Sequence, residues 1–382
     1  MGSMDNAAAR TAEGAMMRIK RIQRHAVALV LAMALTMAFL LGGSSRNAVA
    51  AQATPPAGAS TPSTATATAR GAAWLIGQQG DDGGFIGFSG ESDPGLTADA
   101  VAGLKAAEFR GEDVAASLDA ARVYLTTAGG GYAAVGPGAS AKLVLAAVAL
   151  GAEPSDFGVA SGDVVARTGT PSPSSGLYGA GVFDHALVLM ALAATHAPVP
   201  PAAVEALRGA QATDGSWAFD GSTGEGAGDT NTTAMAIQAL IATANGGDAT
   251  VDAALAYLKG TQTPTGGFPY QPGGAADGNS TALVVQAIVA AGQDPAGGEW
   301  NGAAGALAAF QNPSGAFRYT DEEPGDNLFA TVQALPAIAG LPLPVAVACQ
   351  VSDATTAVGT PVNVLPAPGR AEAPCVELDA AA

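Results

Sequence analysis

Three short stretches carry residue types suited to acid–base or ligand-orienting work, at one spacing. They are Asp229-Thr230-Asn231, Asp277-Gly278-Asn279 and Pro324-Gly325-Asp326. The last residue of each stands seven positions before a glutamine, Gln238, Gln286 or Gln333. A carboxyl in such a place donates a proton when burial raises its pKa and neighbours support it. An amide orients a ligand and has no such proton to give. Asn231 and Asn279 are amides, which leaves Asp326 and Asp229 as candidate acids. Asp326 follows Asp321, Glu322 and Glu323, a run that reads as solvated. Asn or Asp just before an apolar helix also serves as an N-cap, and capping alone accounts for all three stretches.

Other candidate groups lie nearby. Three loops read aromatic-x-aromatic: Trp217-Ala-Phe219, Phe268-Pro-Tyr270 and Phe317-Arg-Tyr319. The first aromatic of each pair recurs in a repeat motif, which leaves the second for another role. Phe219, Tyr270 and Tyr319, with Phe183, are therefore candidates to wall an apolar cavity; packing between repeats is the alternative. Gln238, Gln286 and Gln333 stand where earlier repeats have Ala102, Leu145 and Met190. That makes the C-terminal half of the cavity its polar side, suited to orienting a ligand. Asp184-His185 is an Asp–His doublet, with Asp184 a rim candidate and a helix cap the plainer role. After residue 50 the histidines are His185 and His196, and both cysteines lie in the last 40 residues. That donor set is too small for a zinc centre, so neither a metal nor a cofactor is expected. Paired carboxylates of the glycosidase kind need a spatial closeness that spacing does not supply.

The elements that position these groups come from an internal repeat. Gln-x3-Gly-x-aromatic occurs at Gln79–Phe85, Gln211–Trp217, Gln262–Phe268 and Gln311–Phe317, with one spacing in all four copies. Tyr132 and Tyr178 mark two degenerate copies, with Thr126 and Ser172 at the Gln position. A repeat of this length indicates stacked supersecondary units. An amphipathic run precedes each motif: Gly71–Gln79, Val114–Thr126, Phe157–Arg167, Ala202–Gln211, Val251–Gln262 and Gly302–Gln311. An almost wholly apolar run follows: Leu96–Glu108, Ala139–Leu150, Phe183–Thr195, Thr232–Ala244, Ser280–Ala291 and Leu328–Ile338. A helix apolar on all sides is buried on all sides. The expected fold is all-α: an α/α toroid of six helical hairpins over residues 69–341, with inner and outer helix rings. A ring covers both ends of the array; an open solenoid is the alternative.

The motif copies resemble the QW repeats of squalene–hopene cyclases, within the terpenoid cyclase and protein prenyltransferase superfamily. The resemblance spans most of the repeat region. It implies that each Gln (79, 211, 262, 311) and aromatic (Phe85, Trp217, Phe268, Phe317) ties neighbouring outer helices, as scaffold and not as site. Asp229-Thr-Asn231-Thr-Thr-Ala also resembles the Asp-x-Asp-Asp-Thr-Ala acid motif of the cyclases. The middle acid there is the proton donor, and this chain has Asn231 in its place.

The flanks read differently. Arg18, Lys20, Arg21 and Arg24 precede an apolar run from Ala26 to Leu41, and Ala48-Val-Ala50 has the small-x-small form of a cleavage site. This is the pattern of a bacterial-type signal peptide over residues 1–50; a retained membrane anchor is the alternative. Removing those residues takes away six basic and two acidic side chains, so the net charge goes from −17 to −21. Such a charge disfavours nucleic acid and anionic lipid and suits a soluble, secreted protein. Residues 51–68 read as an Ala/Thr/Pro linker and residues 342–382 as a tail. Cys349 and Cys375 form one disulfide or remain two free thiols.

The functional expectation is a secreted, non-catalytic toroid that binds an apolar small molecule, or a partner, in its central funnel. The alternatives are an atypical terpenoid cyclase or isoprenoid transferase using a funnel carboxylate, and a structural cell-surface module.

Overall fold

The computed structural model describes residues 64–159, 171–224, 226–247 and 249–345. The signal region, Cys349 and Cys375 lie outside them, as does most of the expected third outer helix. Eleven α-helices are present among the described residues, with one two-stranded hairpin. In chain order they are α1 Thr64–Ile76, α2 Pro94–Phe109, α3 Ala115–Ala133, α4 Pro137–Ala149, α5 Val182–Ala194 and α6 Pro201–Gly209. Then follow α7 Thr230–Ala242, α8 Ala249–Thr261, α9 Gly278–Ala290, α10 Ala303–Ala309 and α11 Leu328–Ile338. Strands β1 (Phe85–Ile86) and β2 (Ser92–Asp93) pair antiparallel in the first motif loop.

The helices form an α/α toroid. Helices α2, α4, α5, α7, α9 and α11 pack each against the next, and α11 packs back on α2, which closes the inner ring. The apolar runs form it: in α7 every residue from Thr232 to Leu240 is buried. The outer helices α1, α3, α8 and α10 each pack against two members or one member of that ring, with α6 on α5.

The motif glutamines stitch the outer layer. Gln211 Nε2 donates to the Gly215 carbonyl at 3.0 Å and to the Thr250 carbonyl, in the first turn of α8, at 2.8 Å. Gln79 does the same with Gly83 and Ser117, and Gln262 with Gly266 and Trp300. Gln311 joins Gly315 to Ala67 of α1, at 2.9 and 2.8 Å, and so ties the last hairpin to the first. A side-chain amide here satisfies carbonyl groups that a helix end or loop would leave unpaired.

Three local features differ from the expectation. Helix α1 starts at Thr64, inside the expected linker, because Ala67 and Thr68 are buried against the ring. The second outer run, expected to end at Thr126, continues as helix through Gly130-Gly131-Tyr132, the last part of α3. Its glycines serve close approach: a Cβ at Gly129 would lie 2.6 Å from the Phe157 carbonyl oxygen. Finally, the first residues of the expected tail are folded. Beyond Gly340 the chain turns under the ring, Leu343 N donates to Gln238 Oε1 at 2.8 Å, and Val345 is buried.

Candidate functional site at the mouth and lumen of the ring

Each inner helix begins at a cap residue: Asp93, Gly136, Gly181, Asp229, Asp277 and Asn327 in chain order. Four caps are side chains. Asp229 Oδ1 accepts from Thr232 N at 2.7 Å and Asp277 Oδ1 from Ser280 N at 2.7 Å, while the second oxygens accept from the Thr232 and Ser280 hydroxyls. Asn327 caps α11 through Ala330 N. The cap is therefore the residue after Asp326, and the alignment of Asp326 with Asn231 by glutamine spacing is corrected by three positions. Asp326 is exposed and accepts from Asn312 Nδ2 and Ser314 Oγ, both at 2.8 Å.

Four residues beyond each side-chain cap stands a threonine that locks the motif loop. Thr97, Thr233, Thr281 and Thr331 accept from the backbone N–H of Phe85, Trp217, Phe268 and Phe317 at 2.8–3.0 Å. In the third repeat His185 takes this place: its Nδ1 accepts from Tyr178 N at 3.0 Å, so its Nε2 carries the proton and donates to the Ala203 carbonyl at 2.9 Å. Asp184 accepts from Ala180 N. The Asp–His doublet is thus a loop fastener. Burial holds the His185 pKa below its ordinary 6.5. Protonation would also break the Tyr178 bond. The folded state resists the proton that the unfolded chain takes up, so stability is expected to fall as pH drops below about 6.5. His185→Thr, which copies the other repeats, is expected to remove that part of the slope in urea titrations run from pH 8 to pH 5.

The threonine four beyond the cap points outward, toward its loop. At about 100° per residue, the residues two, six and nine beyond the cap point toward the ring axis. The second-position residues include Phe183, Asn231, Asn279 and Phe329. The sixth are Asp99, Lys142, Leu187, Met235, Leu283 and Gln333. The ninth include Ala102, Leu145, Gln238 and Gln286. On α2 and α4 the partly exposed residues form stripes, Asp99-Ala102-Lys105 and Lys142-Leu145-Val148, while the residues between them are buried. Those helices are covered outside by α1 and α3, so their exposed stripes open to the interior of the ring. The lumen is partly open on the α2–α4 side and covered along α7 and α9.

The predicted site residues divide accordingly. Asn279 Nδ2 donates to Gln333 Oε1 and Gln286 Nε2 to the Gln333 carbonyl, both at 2.9 Å. These three, with Asn231, form a carboxamide strip on α7, α9 and α11. Gln238 holds the segment that runs beneath the ring. Phe219, Tyr270 and Tyr319 sit on the mouth, where their carbonyls accept from Val182 N, Thr230 N and Gly278 N, the first amides of the preceding inner helices. Phe183 and Phe219 rings meet at 6.5 Å. The Tyr270 hydroxyl bonds Asp229; burial and then that carboxylate push the phenol up to about 12. Burial also raises Asp229, and pushes Asp277 up to about 6, against the opposing hydrogen bonds of their caps.

Sequence reasoning missed one lumenal group. Lys142 Nζ lies 2.9 Å from Asp99 Oδ2, bridging α4 and α2. Burial disfavours the ammonium, but Asp99 outweighs it and the Lys142 pKa is raised. The available signal was a lone lysine in the Ala/Leu run of α4.

No family model and no curated protein matches the chain. Solved structures do resemble it. A variant of the type II terpene cyclase MstE from Scytonema, in complex with the substrate geranylgeranyl dihydroxybenzoate, is similar at a TM-score of 0.54 with 18% identity, covering 72% of this chain and 97% of that one. Another variant, bound to the product merosterolic acid A, gives 0.53 at 16% identity over 72% and 96%. A protein from Actinoplanes gives 0.52 at 19% identity over 72% and 99%. The fold is terpenoid cyclase-like.

Proposed function

We propose that the chain is an exported, non-catalytic toroid that binds an apolar small molecule in its lumen. One observation carries this reading: the mouth carboxylates Asp229 and Asp277 each use both oxygens in capping a helix, and the residue between them and the lumen is an amide, Asn231 or Asn279. The partly open lumen beside Phe183, Leu187 and Leu145 supplies an apolar wall. The similar cyclases hold isoprenoid-derived molecules, which supports a ligand of that class.

The test is direct. The full chain, expressed for export, is recovered from the medium, and its N-terminus is expected near Ala51. Organic extraction and mass spectrometry are expected to yield an apolar molecule in near-stoichiometric amount. A clean extract, together with failure to retain added isoprenoids, counts against binding. A second reading rests on buried Asp229, raised by burial and joined to the half-exposed Tyr270 hydroxyl: a residual acid at the mouth. Cyclised product from squalene or geranylgeranyl diphosphate with the native chain, lost in Asp229→Asn, would establish it over the carrier reading.

A further inference from the structure

The mouth face carries most of the large apolar side chains that the ring leaves in water. Eight are exposed among the described residues, and five of them stand on the loops that lead into the inner helices: Ile86, Phe88, Val135, Phe219 and Tyr270. Two of the others lie on the outer helices α1 and α3, and only Phe109 lies at the opposite end of the ring. Apolar residues scattered singly need no explanation, but a group gathered on one face marks a contact surface. Phe88, in the β1–β2 turn, is 72% exposed although its ring stacks on Phe329 of α11 at 4.3 Å, so one face is held and the other is open. Val135, 71% exposed, immediately precedes the cap of α4.

The same loops are acidic. Residues 77–93, 210–229 and 310–327 each hold four acidic residues, and their single basic residue is Arg318. Arg318 Nη2 lies 2.6 Å from Asp321, so it is already paired. Asp93 and Asp229 cap helices, whereas Asp81, Glu91, Asp214 and Glu322 are among the acids that face solvent. In the ring α2 stands beside α11 and opposite α7, so these loops place acid on two sides of the aromatic centre. An aromatic centre inside a charged rim is the anatomy of a protein interface, and a field of one sign steers a partner of the other.

We propose that the mouth face docks a basic, amphipathic segment of a partner protein. Its apolar side lies on Phe88, Val135 and Phe219, and its lysines or arginines meet the two acidic arcs. A second copy of this chain would bring the same acids and be repelled, and a neutral membrane would leave those acids unused. This goes beyond the lumenal binding reading and stands without it.

The probe is a synthetic leucine–lysine amphipathic peptide of about four helical turns, titrated onto the full-length protein and followed by fluorescence anisotropy. It is expected to bind, and to bind more weakly as salt is raised. Counterparts with serine for leucine, or glutamate for lysine, are expected to bind at least about tenfold more weakly. Phe88→Ser is expected to lose about fivefold or more. The triple variant Asp81→Asn, Glu322→Gln, Glu323→Gln is expected to lose about tenfold, at the modest strength of exposed charge pairs. The same change of charge at the opposite end, Asp113→Asn, Glu153→Gln, Asp156→Asn, is expected to stay within about twofold of the native chain, because that end lies beyond the screening length. An equal loss in both triple variants would mean attraction to net charge alone and overturns the docking surface. Equal binding of the serine peptide, or no binding at all, overturns it too. Retention of the protein on phosphatidylcholine vesicles, with no binding of the peptide, would assign the face to a membrane and overturn the proposal.

Discussion

Gly315→Ala is expected to be among the most destabilising single-methyl additions in this protein, by about 4 kcal/mol or more. Gly315 has φ +103°, and a Cβ there would lie 2.3 Å from the Arg70 carbonyl oxygen of α1. Backbone strain of this kind costs roughly 1–3 kcal/mol. The overlap is relieved only by moving α1 off the loop. That movement breaks the Gln311–Ala67 bond and the bond from Arg70 to the Asn312 carbonyl, which together hold the last hairpin to the first. A loss of this size is a large part of a usual folding free energy of about 5–15 kcal/mol. Urea unfolding measures it. Gly305→Ala is the control, since a Cβ on that face of α10 meets nothing within 4 Å; alanine there is expected to stabilise by about 0.4–1 kcal/mol. A Gly315→Ala midpoint equal to the native one would mean that α1 does not close the ring.

Trp217→Ala is expected to cost about 3–5 kcal/mol, the range for emptying a large buried aromatic site. Trp217 is wholly buried, and its Nε1 donates to the Leu207 carbonyl of α6 at 2.7 Å. Trp217→Phe separates volume from hydrogen bonding. Phe85, Phe268 and Phe317 fill the equivalent places with no exposure, so phenylalanine fits, and the cost reduces to the lost indole bond on a Leu207 carbonyl that keeps the Ala210 N–H, about 0.5–1.5 kcal/mol. Thermal unfolding followed by circular dichroism gives both values. The phenylalanine variant is also expected to keep the ligand affinity of the native chain. A strong loss of affinity at unchanged stability would move this motif from the scaffold into the site.

The motif's role follows from which of its bonds are local. Gln211 reaches the Gly215 carbonyl four residues away, and the other three copies repeat that bond, so the loop's shape is readable from spacing. The second bond of each amide is not. Its partners are Ser117, Thr250, Trp300 and Ala67, separated by 38, 39, 38 and 244 residues. The repeat announces six hairpins, but the Ala67 bond and the packing of α11 on α2 are what join the ends.

The candidate site divides along the same line. Capping by Asp229 and Asp277 is a matter of three residues and was legible. The register of α11 was not: Gln333 suggested Asp326 as the equivalent residue, whereas the threonine that locks the motif loop, Thr331, sets Asn327 as the cap. The second outer run reads as ending at Thr126, ahead of Gly129 to Gly131, because glycine weakens helices in isolation. They remain helical because the Phe157 segment approaches α3 too closely for a side chain at Gly129.

From the order of residues alone came the all-α class, the alternation of outer and inner helices and the substitution of Asn231 for an acid, since each depends on composition and short-range period. Only the folded ring could show that Lys142 meets Asp99 between neighbouring inner helices, that Gln238 holds Leu343 and that Gln286 keeps an oxygen unpaired. Each depends on groups far apart in the chain, and its geometry exists only after the ring has closed.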